Sequence, residues 1–284
     1  MADINRVLVI GATGHVGGQV VSQLAETGVA VRALARKPEA ASFAAGVEVA
    51  PGDLTQPETL IPALDGVDAV YLTWPLLPAA AADSVVEVIA GRTGRIVLLS
   101  SGAVRDDLEK QDNPIGEKHA MVERPIVASG LAWTFLRPYG FATNTLEWAA
   151  QTRVGDVVRG AYGAASMTLL HEADIAAVAV RALTTDGHAG ARYVLTGSAS
   201  LRRIDQVAAI GAALGRPLAW EELTREQARR HMDWVPAEYA DLVLDGYAAM
   251  VDAPGQPTST VQDVTGSPAR TYAQWAVDHA ADFA

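Results

Sequence analysis

The stretch Val7-Leu8-Val9-Ile10-Gly11-Ala12-Thr13-Gly14-His15-Val16-Gly17-Gly18 constrains the fold more than any other part of the chain. A short apolar, β-branched run passes directly into glycines at 11, 14 and 17, and a helical pattern follows at once. A strand–turn–helix junction of this kind needs Gly11 for the tight turn and Gly14 for close backbone approach to a pyrophosphate. It needs Gly17 for close helix–strand packing. The N–H groups that open the helix then face the phosphates. Glycine spacing alone also occurs in ordinary turns, but here the strand precedes it and the helix follows, which points to a dinucleotide site. Gly11, Thr13, Gly14, His15, Val16 and Gly17 are its candidate residues.

The first half of the chain alternates between the two patterns. Strand-like runs fall at 7–10, 29–35, 47–49, 69–73, 96–99 and 133–136, and helix-like stretches at about 16–27, 57–64, 79–90 and 114–129. Near-continuous apolar strands separated by helices predict an α/β fold, a doubly wound parallel sheet of Rossmann type covered on both faces. Ligands of such sheets sit at the carboxyl ends of the strands. From about residue 150 the order changes. Residues 172–184 read as a helix, 192–196 as a strand, and 203–214, 225–232 and 236–251 as helices. A loop rich in Pro, Gly, Ser and Thr covers 252–260, and a last helix is expected from about Pro268, in its first turn, to Phe283. The expected organisation is a dinucleotide-binding domain at 1–150, continuous with a smaller α/β, mostly helical substrate-side lobe at 151–284.

Half of the residues are hydrophobic, enough for a substantial core. The absence of cysteine excludes disulfides and thiolate metal sites. With no visible signal peptide and no apolar stretch of spanning length, a cytoplasmic monomer or homodimer without a membrane partner is expected. The net charge of −11 with no basic cluster argues against nucleic-acid binding. No metal-ligand spacing appears among the six histidines, and no nucleophile elbow is present.

The end of the second strand discriminates between cofactors. An acidic residue there accepts from a free ribose 2′-hydroxyl, whereas a basic one pairs with a 2′-phosphate. The acidic position holds Ala35, and Arg36 and Lys37 follow. Arg36 offers a planar fork of donors and Lys37 a point charge. NADP(H) is therefore expected over NAD(H); the competing reading is a pair of solvated loop residues.

Several further blocks carry a resemblance: Gly52-Asp53-Leu54 followed by Val67-Asp68-Ala69-Val70-Tyr71, Ser129-Gly130-Leu131 leading to Leu136-Arg137-Pro138, His171-Glu172-Ala173-Asp174-Ile175-Ala176, and Val264-Thr265-Gly266-Ser267-Pro268. With the glycine turn, they make the chain resemble the NmrA-like, atypical branch of the short-chain dehydrogenase/reductase family over nearly its whole length. That branch contains both reductases and non-enzymatic sensors. The resemblance implies that Asp53 and Leu54 border the adenine, that Thr73, Trp74 and Pro75 run along the ribose and nicotinamide, and that Ser100 and Ser101 lie near the nicotinamide, with Pro138 also at the cofactor. For Trp74 the competing reading is core packing.

Ordinary members of the wider family use a Tyr-x-x-x-Lys helix as proton donor. In the register set by Glu123 and Ser129-Gly130, Ile115 stands at the tyrosine position and His119 at the lysine position. Isoleucine donates no proton, so the usual alcohol chemistry is not expected. A simple ketone passes through a strongly basic alkoxide, which needs a placed acid. A quinone passes through a phenolate-like oxyanion with a pKa near that of tyrosine, about 10, which takes its proton from solvent. The resemblance also extends to quinone-reducing relatives with a histidine where His119 stands. His119, Ser100 and Tyr139 are thus the catalytic candidates, with His119 also beside the cofactor. Trp74, Tyr139, Phe141 and Asn144 are expected to line a site for a planar aromatic or quinone substrate. Pro125, inside the same helix, is expected to remove a backbone bond and kink it. The sequence thus predicts an NADPH-dependent, quinone reductase-like oxidoreductase; the alternatives are an NAD(P)-sensing regulator that docks on a protein, and an isoflavone reductase-like ether or lignan reductase using Lys118.

Overall fold

The computed structural model describes residues 4–75, 80–232 and 235–284. The chain forms two compact units: Met1–Tyr139 with Glu172–Leu195 and Thr260–Gly266, and Gly140–His171 with Thr196–Ser259 and Ser267–Ala284. The units alternate along the chain, where the sequence suggested one boundary near residue 150. The reason is local to the first unit. Its last strand, Ala191–Leu195, has to come back to pair with residues 134–138, bringing the helix Glu172–Thr184 with it.

The first unit is built on a parallel sheet. Its strands are β1 (Arg6–Ile10), β2 (Ala30–Ala35), β3 (Glu48–Pro51), β4 (Ala69–Thr73), β5 (Arg95–Leu99), β6 (Ala132–Pro138) and Ala191–Leu195. The order is β3-β2-β1-β4-β5-β6 and then Ala191–Leu195. The strand order reverses between β1 and β4, which is where doubly wound sheets open a crevice for a ligand. Ile10 pairs with Leu34 on one side and Leu72 on the other, Thr73 with Leu99, and Leu99 with Leu136. That register brings the carboxyl ends of the central strands into one row.

The strands form because both of their faces are covered. Val7, Leu8, Val9, Val70, Leu72, Ile96 and Leu98 are wholly buried, each contributing about 1.5–3 kcal/mol relative to exposure. The helices α1 (His15–Glu26), α2 (Leu60–Ala63), α3 (Ala80–Ala90) and α4 (Pro114–Ala128) flank the sheet. Leu60, Val85, Ile89, Val122 and Ile126 from the last three pack on Leu8, Val70, Ile96 and Leu98. Expected helix 57–64 divides into a 3-10 turn, Pro57–Thr59, and α2. Ala79, in the expected helix 79–90, lies outside the described residues.

At the first turn, geometry replaces side chains. Gly11 has φ +88°, and a Cβ there would lie 2.7 Å from Thr73 Cβ. A Cβ on Gly17 would lie 2.1 Å from the Gly11 carbonyl oxygen. The backbone of α1 therefore rests directly on the turn that leaves β1.

In the second unit, Trp148, Val207, Ile210, Tyr272, Trp275 and Phe283 form a core. Beside it Arg203, 4% exposed, pairs with Glu147 at 3.1 Å and lies 4.0 Å from the Tyr247 ring centroid. Two small ladders, Val157–Gly160 with Ala219–Glu222 and Ser166–Met167 with Leu201–Arg202, were not expected. Runs of two to four residues carry no readable periodicity. The last expected helix is also different. It begins at Tyr272, capped by Thr271, not at Pro268, and it breaks at His279 before Ala280–Phe283. The Thr271–Gln274 capping box gives two opening N–H groups reciprocal partners, which proline in the first turn does not. A short helix, Thr260–Thr265, follows the Pro/Gly-rich loop. No helix among the described residues is long and apolar enough to cross a membrane.

Adding one methyl group at Gly17 tests the packing. Gly17→Ala drives Cβ into backbone and is expected to lower unfolding free energy by at least about 1–3 kcal/mol. Gly155→Ala, where a Cβ meets nothing within 4 Å, is expected to change it by less than about 0.5 kcal/mol. Chemical denaturation of the two variants measures the difference.

Candidate active site

Most of the residues singled out from the sequence lie in the row of strand ends in the first unit. Gly14 caps α1 in an extended conformation, has no side chain to offer the opening N–H groups, and the first turn carries no acidic residue. Thr13, Gly14 and His15 are exposed, while Val16 and Gly17 are buried against the turn. A helix start with Gly14 and His15 exposed and no competing carboxylate fits a pyrophosphate.

The second contact region follows β2 and β3. Arg36 and Lys37 leave the end of β2 exposed, and neither has an ion-pair partner among the described residues. Asp53 accepts from the Thr55 N–H at 2.9 Å and from the Thr55 hydroxyl at 2.8 Å. These bonds, with Arg36 adding to them, hold its carboxyl below the usual range. Leu54 and Trp74 are buried in the apolar core, Trp74 being 4% exposed, and Pro75 is exposed. Thr73 touches the glycine turn and donates to the buried Tyr71 hydroxyl at 3.3 Å.

The ends of β5 and β6 hold a buried polar cluster. Ser100 is 2% exposed, and its hydroxyl donates to Glu123 Oε1 on α4 at 2.5 Å. Arg137 of β6 donates to the same carboxylate from Nε at 3.0 Å and from its other end at 2.6 Å. It also donates to both oxygens of Asp106 at 2.9–3.0 Å. Arg192 reaches Asp106 at 3.2 Å. Hydrogen bonds from Arg137 hold the Asp106 carboxyl below its ordinary range. A buried charge is tolerable only when it is paired and hydrogen-bonded in this way. Around the cluster, the Ser100 N–H donates to the Leu136 carbonyl and the Gly102 N–H to Pro138. Pro138 is buried, Ser101 is half-buried and accepts from the Ala103 N–H, and the Tyr139 ring, 63% exposed, lies against Gly102.

α4 begins beside this cluster because Asn113 caps it, accepting from the Gly116 N–H at 2.6 Å, and because Gly116 packs on the Ala103 carbonyl. Ile115, His119 and Glu123 fall at intervals of four and share one helical face. Ile115 is exposed and His119 is half-buried. Burial pushes the His119 imidazole down to about 4, so it is neutral at physiological pH. It offers a hydrogen bond there, not an imidazolium proton. Lys118 is half-buried. The helix continues through Pro125 to Ala128 despite the missing N–H.

Phe141 and Asn144 belong to the second unit. Phe141 is half-buried, pairs with Leu170 and precedes a 3-10 helix in which Asn144 is exposed. The Glu123–Arg137–Asp106 cluster was not expected from the sequence. A charged residue in the apolar run Thr134-Phe135-Leu136-Arg137 was the available signal, since a buried arginine demands a nearby carboxylate.

A family model described as NAD(P)H-binding matches residues 11–186. The chain is 38% identical over 286 residues to the (4-alkanoyl-5-oxo-2,5-dihydrofuran-3-yl)methyl phosphate reductase of Streptomyces griseus subsp. griseus, covering 98% of this chain and 99% of that protein. It is 37% identical over 286 residues to the NAD(P)H azoreductase of Xenophilus azovorans, with the same coverages. Among solved structures, the NADPH-dependent quinone oxidoreductase of Escherichia coli complexed with NADPH matches with a TM-score of 0.79 at 24% identity, covering 96% and 99%. At that identity the likeness bears on the fold.

Two outcomes check the site. Glu123→Leu leaves Arg137 and Ser100 without their shared acceptor and is expected to cost about 3–5 kcal/mol in denaturant unfolding. For His119, the folded pKa lies below the unfolded one, so the unfolded state binds more protons between about 4 and 6.5. Its stabilising contribution is complete above the unfolded pKa of about 6.5 and declines as pH falls towards about 4. His119→Gln is expected to flatten that part of the stability profile, read from denaturation midpoints.

Proposed function

The chain belongs to the NAD(P)H-binding family, and from that premise we propose that it is an NADPH-dependent reductase delivering hydride to a quinone or similarly conjugated, planar acceptor. As an NAD(P)H-dependent oxidoreductase it shares its full length with two named reductases. NADPH, when bound, supplies the hydride. The Gly11–Gly17 turn and the opening amides of α1 would hold the pyrophosphate, and Arg36 with Lys37 the 2′-phosphate.

The observation that carries the acceptor class is the α4 face. Ile115 presents no acid, His119 is neutral, and the Ser100 proton is committed to Glu123. Such a surface orients an acceptor without protonating it. An oxyanion delocalised over a conjugated system needs no side-chain proton, because solvent provides it. Tyr139 gives a planar ring an exposed face to stack on. The named relatives fit the same class: an azo group is conjugated, and an alkanoyl-dihydrofuranone carries a ring double bond conjugated with carbonyls. The quinone oxidoreductase shares the fold.

An acceptor panel tests the proposal through NADPH oxidation. Turnover is expected on naphthoquinones or azo dyes and absent on simple aliphatic ketones. Tight NADPH binding with no turnover on any conjugated acceptor would contradict it. Removing the guanidinium in Arg36→Ala is expected to raise KM for NADPH by about tenfold or more, the worth of a charge-assisted hydrogen bond, while KM for NADH moves little. His119→Ala is expected to raise KM for the acceptor, and the wild-type kcat is expected to stay flat between about pH 5.5 and 8, since neutral imidazole does not titrate there.

A further inference from the structure

We infer that Gly102 is a specificity-determining position for the acceptor, acting through Tyr139. This rests on the reading of the strand-end row as a site for a planar conjugated molecule. Gly102 follows β5 and Tyr139 follows β6. The pairing of these strands continues past Leu99: the Ser100 N–H donates to the Leu136 carbonyl at 2.7 Å, and the Gly102 N–H to the Pro138 carbonyl at 2.9 Å. On the other side, the Tyr139 N–H donates to the Leu195 carbonyl at 3.2 Å. Arg137, two residues earlier, is held by Glu123 and Asp106. The backbone that carries the Tyr139 ring is thus anchored to both neighbouring strands and to α4.

The ring itself is set by what Gly102 lacks. A Cβ on Gly102 would lie 2.9 Å from Cγ, 2.9 Å from Cδ1 and 3.1 Å from Cε1 of Tyr139. Near-equal distances to three successive ring atoms place that point over the face of the ring, not at its edge. One face of the ring therefore rests on Gly102, and its 63% exposure belongs to the other face and the rim. A ring backed by anchored peptide is a preset platform, so stacking on it does not have to immobilise a loose side chain. Any side chain at 102 would push the ring off this position. The φ of Gly102 is not in the left-handed region, so the strain of a substitution falls on the ring and not on the backbone. Such a platform selects flat, fused rings over saturated ones, because stacking needs contact across the whole face.

The experiment is ligand-observed NMR titration of the full chain with 1,4-naphthoquinone in the presence of NADP+, which has no hydride to transfer. The chain has no cysteine for the quinone to alkylate. Gly102→Ala is expected to weaken naphthoquinone binding about three- to tenfold, the worth of one aromatic stacking contact, and to leave NADP+ affinity unchanged. Tyr139→Ala is expected to weaken it at least as much, and adding Gly102→Ala to that variant is expected to change nothing further. The conservative Tyr139→Phe, which keeps the ring, is expected to retain the wild-type affinity. Wild-type affinity in Gly102→Ala or Tyr139→Ala, an equal loss from Gly102→Ala with and without the Tyr139 ring, a parallel loss of NADP+ affinity, or no saturable binding to the wild-type chain would each overturn the inference. NADPH oxidation over the acceptor panel is read separately and decides the reductase reading. Wild-type turnover of quinones alongside any of these overturning results refutes the platform alone.

Discussion

The contact between Gly17 and the Gly11 carbonyl is the constraint from which the site follows. No side chain fits between them, so α1 rests on the turn leaving β1, with Gly14 and His15 exposed at its start. Gly11 also abuts Thr73, which ties the turn to the neighbouring strand across the point where the strand order reverses. The parallel register then carries alignment through β4, β5 and β6. Two missing methyl groups thus fix where α1 begins and which strand ends surround that turn.

A second, electrostatic constraint governs the chemistry beside that turn. Arg137 sits in a strand buried on both faces and needs a carboxylate, which α4 supplies as Glu123. Ser100 completes the arrangement. This cluster joins β5, β6 and α4, and it consumes the hydroxyl that would otherwise be available to a substrate. One and two helical turns before Glu123 stand His119, neutral through burial, and Ile115. The helix is held firmly while the face it offers remains poor in acids. That combination suits acceptors whose reduced form is a stabilised oxyanion.

The sheet was legible because its strands are apolar on both faces and bounded by glycine, proline or polar turns. Residues 69–73 and 172–184 are found where periodicity placed them, and the other early strands shift by one or two residues. The short ladders of the second unit were not legible, because Val157–Gly160 and Ser166–Met167 are too brief to show a pattern. Pro268 misled because a first-turn proline is only permissive, whereas the Thr271–Gln274 box is directive. At the candidate site, the strand–turn–helix junction around Gly11, Gly14 and Gly17 was readable from local sequence. The role of Glu123 was not, since its partners lie 14 and 23 residues away. The low pKa of His119 was hidden too, because desolvation depends on tertiary packing.

The central claim is that hydride delivery proceeds without a side-chain proton donor. Kinetic isotope effects measure this most directly, using NADPH deuterated at the transferable position and a naphthoquinone acceptor in light and heavy water. A normal primary effect on kcat/KM with a solvent effect near unity is expected if protonation follows hydride transfer and comes from water. A large solvent effect on the same step, together with a bell-shaped pH profile, would contradict it by revealing a side-chain acid at work.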